Sequence, residues 1–267
     1  MIAALALNLG IAVASGTITE LGATAVRRLR TNMRLVSANR LWAPLIADEI
    51  DIVMSEFSNE PAAADPQVRL VRNIGINHFV SKGVAQAVSE IVFFLGKEFS
   101  FYKCTRHGDK TLQKELRSNL VLIGSPVTNK YTASVFRKLR ETYHVGFDIE
   151  HDEARIRIID KLANKTYATE LDDDEGVDYA LVIRARISTA PTRYCLLLCG
   201  TSMWGVEGAA RIVTSSGGLR RISRQLASHH DLAFLVRVSV VGEMAQHAEI
   251  MALEGSRRRF VNILKPR

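Results

Sequence analysis

Asn119-Leu-Val-Leu-Ile-Gly-Ser-Pro126 and Cys195-Leu-Leu-Leu-Cys-Gly-Thr-Ser202 share one form: an apolar run, a glycine, then hydroxyl-bearing residues. An unbroken apolar run of this length marks a strand buried on both faces, as in a parallel sheet covered by helices. Periodic segments between such runs supply the covering. Asn77 to Leu95 places Phe79, Val80, Val84, Val88, Ile91, Val92 and Leu95 at helical spacing. Thr132 to Tyr143 places Val135, Phe136 and Leu139 on one side of a second helix. Strand then helix, repeated, is the signature of an open α/β sheet.

Working outward, Asp51 to Phe57 reads as the first strand, and Phe101 to Thr105 as the second, with a short helix over Thr111 to Arg117. A polar stretch near 145–175 alternates in short runs, which suggests a β-hairpin insertion. Asp172 to Glu175 is an acidic turn without the spacing of a calcium loop. Tyr179 to Arg184 and Leu232 to Val241 are further strong strands, with helices over 204–213 and on to about Ala227, and edge strands over 250–253 and 260–263. The expected fold is α/β: an open, mostly parallel, Rossmann-like sheet with some antiparallel strands, preceded by an apolar helix. The expected divisions are 1–28 for that helix, 29–49 for a helical connector and 50–267 for the domain.

The chain has 267 residues, 47% of them hydrophobic, enough for one sizeable core. Its net charge of +7 is concentrated at the two ends, in Arg27, Arg28, Arg30, Arg34 and Arg40 and in Arg257, Arg258, Arg259, Lys265 and Arg267. No basic stripe is interleaved with aromatics, so nucleic acid is not the expected partner. Cys195 and Cys199 fall on one face of a strand, about 13 Å apart, too far to bridge. No cysteine spacing suits a metal, and the three thiols read as small buried hydrophobes.

No charge occurs from Ile2 to Thr19, and an arginine cluster follows at 27–30. That length suits a bilayer-crossing helix with the main domain on the cytoplasmic side of the inner or plasma membrane, in contact with lipid through residues 2–26. Gly10, Gly16 and Gly22 would let such helices associate. The other reading is an Ala-rich helix that docks on the domain or on a second subunit.

In open α/β sheets ligands bind beyond the carboxyl ends of the strands. There, Ser55, Gly124, Ser125, Asn129, Gly200, Thr201, Ser202 and Trp204 are the candidate ligand-binding residues. Glycine allows a tight turn, and the next helix start offers free N–H groups to a phosphate or ribose. The competing reading is helix capping alone. Glu56, closing the first strand, is the candidate catalytic carboxylate. His107 and His144 could act as bases, and Glu207 suits a helix start. Neither a dinucleotide fingerprint nor a triphosphate-binding loop is present, and no cofactor is assigned.

Through those two glycine-ended runs the chain resembles bacterial Rossmann-like nucleotide-handling domains: the SLOG and TIR sensor and effector types and the nucleoside deoxyribosyltransferases. The resemblance rests on about 30 residues. Met54-Ser55-Glu56 stands where the SLOG type has a glycine-rich first loop. It implies a nucleotide- or nucleoside-binding sensor or effector tethered to a membrane or to an oligomer. Two alternatives stand beside it: cleavage or transfer at an N-glycosidic bond through Glu56, and an interaction protein whose loops are simply capped.

Overall fold

In the computed structural model, residues 35–58, 78–109, 116–152, 155–172, 175–187, 190–225, 231–242, 244–251 and 262–263 are described. The stretch 1–34 lies outside them, and with it the expected N-terminal helix over 1–28. So do most of the short helix expected over Thr111–Arg117 and the stretch 59–77. Among the described residues no helix is long and apolar enough to cross a membrane.

The elements, in chain order, begin with helix α1 (described over 35–46). Strands β1 (Ile50–Met54), β2 (Phe57–Ser58) and β3 (His78–Phe79), helix α2 (Lys82–Phe99), strands β4 (Cys104–Gly108) and β5 (Asn119–Ile123), and helix α3 (Lys130–Thr142) follow. Next come β6 (Phe147–His151), β7 (Ile156–Asp160), β8 (Lys165–Ala168), β9 (Glu170–Asp172), β10 (Glu175–Ile187) and β11 (Ala190–Gly200). Helices α4 (Met203–Thr214) and α5 (Ser216–Gln225) lead to β12 (Leu232–Val241), β13 (Met244–Ile250) and β14 (Asn262–Ile263).

The main sheet runs β13-β12-β10-β11-β5-β1-β4. Its block β4, β1, β5 and β11 is parallel throughout. Strands β10, β12 and β13 extend it antiparallel, with β9 and β14 added at β10 and β12. The mixed α/β sheet with late antiparallel strands is thus present. Alternate side chains divide between two cores. Ile52, Val121, Ile123, Leu196 and Leu198 face one side with α1, α2, α4 and α5. Val53, Leu122, Leu197, Cys195 and Cys199 face the other, under α3. Within the polar stretch at 145–175, residues 147–168 form a separate three-stranded sheet, β6-β7-β8, seated by the buried Phe147 and Ile158, while β9 joins the main sheet.

Local chemistry sets the boundaries. Ser81 caps α2 by accepting from the Val84 N–H, so that helix starts later than its apolar periodicity suggests. Ser100, with φ of 51°, ends it in a left-handed turn. The edge strand β4 begins at Cys104, beyond the expected Phe101 start, because its register follows β1 from Ile50 onward. In α1, Pro44 lacks the N–H that would bond the carbonyl of Arg40. The buried Arg184 of β10 donates to that carbonyl at 2.6 Å and to Leu41 O at 3.1 Å. Burial pulls the Arg184 guanidinium down to about 10, still charged at neutral pH. Trp42, fully buried, donates to Val213 O and ties α1 to α4.

Burial pushes the Cys104 thiol up to about 11 and Cys195 up to about 12, and raises Cys199 further. Thiolate is the reactive form. Ellman's reagent at pH 8 is therefore expected to label none of the three in the folded protein and all three in denaturant. Fast labelling of Cys195 or Cys199 in the folded state would contradict this core.

Candidate functional site

The parallel block is wound from the middle: the chain passes from β1 out to β4, then returns to β5 on the other side of β1. The switch in direction lies between β1 and β5, the place where such sheets open a crevice. At this end β1 runs into Ser55, β5 into Gly124 and β11 into Gly200. Ile123 and Leu198 are register partners, and the Gly124 N–H donates to Leu198 O at 3.0 Å, so the two glycine turns are neighbours.

A cavity of about 280 Å³ sits between them. Ser55, Gly124, Ser125, Thr128, Gly200 and Ser202 line it from the strand ends. Ser81 and Val84 of the α2 start, Met203 and Val206 of α4, and Ile156 of β7 complete the wall. Of the residues expected at the site, Ser55, Gly124, Ser125, Gly200 and Ser202 meet here. Thr201, Asn129, Trp204 and Glu56 are not among the described lining residues. Glu56 lies over Gly108, where a Cβ would come within 1.8 Å of its carboxyl carbon. Trp204 packs against the α2/α4 core.

Asn129 is fully occupied by the fold. Its Oδ1 accepts from Tyr131 N and Thr132 N and caps α3, while its Nδ2 donates to Val53 O and Ile123 O, each at 3.2 Å. Beside it stands the buried Asp109, which accepts from Glu56 N at 2.8 Å and Lys130 N at 3.0 Å. The first turn of α3 thus already faces a carboxylate from the end of β4.

The α4 start is arranged the same way. Asp178, fully buried at the beginning of β10, accepts from Thr169 Oγ1, Tyr179 N, Thr201 Oγ1, Ser202 Oγ and Gly205 N. Gly205 makes this approach possible, since a Cβ there would sit 2.2 Å from Tyr179 O. The sequence leaves both helix starts open to a phosphate or ribose, or to capping alone. Two internal carboxylates occupy those positions, where the helix dipole favours them. A faint signal for Asp178 existed: it is the one charge at the head of the apolar run 177–183.

Three of the hydroxyls that line the cavity, those of Ser55, Thr128 and Ser125, are joined to one another. Ser55 Oγ lies 3.1 Å from both Ile123 O and Thr128 Oγ1, and Thr128 Oγ1 lies 3.3 Å from Ser125 Oγ. Ser125 Oγ also accepts from Val127 N and Thr128 N. One assignment satisfies the chain: Ser125 donates to Thr128, Thr128 to Ser55, and Ser55 to Ile123 O. Ser202 spends its proton on Asp178. These four hydroxyls therefore turn oxygen lone pairs to the space, while Ser81 Oγ, which accepts from Val84 N, keeps its proton to donate.

The two candidate bases lie elsewhere. His107 pairs with Asp51 at 2.7 Å, whose other oxygen accepts from Ser118 Oγ. His144 is exposed. Glu207 is buried and paired with Arg211 of its own helix. Compared with known proteins, the sequence matches no family model and no curated protein.

Replacing Asp178 by Ala leaves several buried donors without an acceptor and should cost about 3–5 kcal/mol in urea unfolding. Gly124 has φ of +115°, and a Cβ there would meet Ser55 Oγ at 1.6 Å. Gly124→Ala should lose about 2–3 kcal/mol in the same experiment. A loss under about 0.5 kcal/mol for either variant would contradict the described loop geometry.

Proposed function

We propose that this chain is a small-molecule-binding α/β module that holds a neutral, donor-rich ligand of nucleoside type in the cavity between the β1, β5 and β11 ends. The observation that carries the reading is the convergence of Gly124 and Gly200 on one cavity at the switch in sheet winding. Its volume lies just below the roughly 300–1,000 Å³ of typical small-molecule sites. The walls offer apolar contact from Val84, Ile156, Met203 and Val206, and hydroxyl oxygens from the strand-end loops.

Chemistry supports a nucleoside over a nucleotide. A phosphate brings acceptors only and needs N–H or O–H donors. The protons of the Ser55, Ser125, Thr128 and Ser202 hydroxyls are committed inside the protein, Ser81 alone of the described lining hydroxyls keeping one to donate, and Asp109 and Asp178 already stand at two of the helix starts. Amino and hydroxyl groups of a nucleoside match the remaining lone pairs. The described lining includes no carboxylate, so glycosyl transfer through Glu56 is not part of this reading. A sensor role, in which occupancy is read by a tethered or assembled state, fits the same cavity.

Ile156 is the one described wall residue contributed by the β6-β7-β8 sheet. Calorimetry with a panel of nucleosides and their monophosphates is expected to show saturable binding of a nucleoside, at least about tenfold weaker for its 5′-phosphate. Met203→Trp should abolish that binding by filling the space, and Ile156→Ala should shift the preference towards larger bases. Silence across the panel, or tighter binding of the monophosphate, would remove the proposal.

A further inference from the structure

A second surface stands apart from the cavity. Helix α5 carries Arg220, Arg221 and Arg224, all exposed, around the buried Leu219 and Ile222, and none of its ten residues is acidic. It lies against α1. Arg40 Nη1 donates to Ser223 O at 2.8 Å, and Ser223 Oγ donates to Ser37 Oγ at 3.2 Å. Residues 35–47 also contain no acidic residue, and Arg40 is exposed. The nearest acidic groups in sequence, Asp48 and Glu49, follow the end of α1. Two neighbouring helices thus present four arginines and no carboxylate.

The position of this face in the chain bears on its partner. The α1–α5 contact is at Ser37, two residues from Leu35, where the described part of α1 begins. The preceding sequence adds Arg27, Arg28, Arg30 and Arg34, and before them a stretch without charge from Ile2 to Thr19. The large aromatic of α1, Trp42, is fully buried, so α1 offers no exposed ring on which a base could stack. An apolar stretch followed by clustered arginines suits a surface of acidic phospholipid, where each basic group near the headgroups adds to affinity.

We propose that the α1/α5 face, through Arg40, Arg220, Arg221 and Arg224, lies against an anionic lipid bilayer, next to the point where the N-terminal stretch joins the domain. This does not depend on the cavity's ligand. Flotation of the full chain with vesicles of phosphatidylcholine, alone and mixed with phosphatidylserine, tests it. The intact protein should bind mixed vesicles more tightly, with the difference falling as salt is raised. The variant R220E/R224E should lose that affinity by at least about tenfold and keep its binding to phosphatidylcholine alone. Circular dichroism checks its folding; if charge reversal unfolds it, R220Q/R224Q should still lose several-fold. Equal affinity for the two vesicle types, or wild-type affinity in a folded arginine variant, overturns the proposal. So does tighter binding of a short duplex DNA than of mixed vesicles at the same salt.

Discussion

A helix that starts beneath the end of a buried sheet must find acceptors for its free N–H groups without help from water. In this protein that constraint is met by side chains from neighbouring strands. Asn129 and Asp109 serve α3, and Asp178 serves α4. Each also fixes something beyond its helix. Asn129 holds the carbonyls at the ends of β1 and β5, and Asp109 holds the turn after β1. Asp178 holds both hydroxyls of the loop after β11. Remove these groups and the strand ends lose their relative placement, and the cavity between them loses its shape.

The resulting cavity is small, walled by apolar side chains, and edged by hydroxyls of which Ser55, Thr128 and Ser125 share one hydrogen-bonded chain. Preorganisation of this kind costs little on binding, because the rim is already in place. It also narrows the chemistry. Oxygen atoms whose protons are spent inside the fold attract N–H and O–H groups and offer little to a phosphate. The extra β6-β7-β8 sheet reaches the cavity through Ile156, so an insertion in the α/β pattern becomes one of its walls.

Much of the fold was legible because burial on both faces leaves unbroken apolar runs. Residues 119–123 and 195–199 could hardly be anything but inner strands, and their glycine ends located the loops that meet. The limits were also physical. Asn129 and Thr201 have the right residue types for ligand contact, yet those groups are consumed by caps and by Asp178, which only pairing across the sheet reveals. Ile156 and Met203 reach the cavity through topology, and no local pattern marks them. Glu56 lies two residues beyond the end of β1, but its carboxylate turns over Gly108, on the β4 side of the strand. The arginines of α5 were visible as letters, but their alignment beside α1 was not.

Pro44 and Arg184 show what one missing N–H brings with it. The guanidinium that replaces it belongs to β10, the strand that also carries Asp178, six residues and about 20 Å away. One continuous extended segment is therefore anchored to α1 near its far end and to the α4 start near its beginning. Extended backbone held on both sides by ladders has little give along its length. Displacing α1 against the sheet must either break the Arg184 bonds or carry the rim of the cavity along, so α1 and the cavity rim are mechanically one lever.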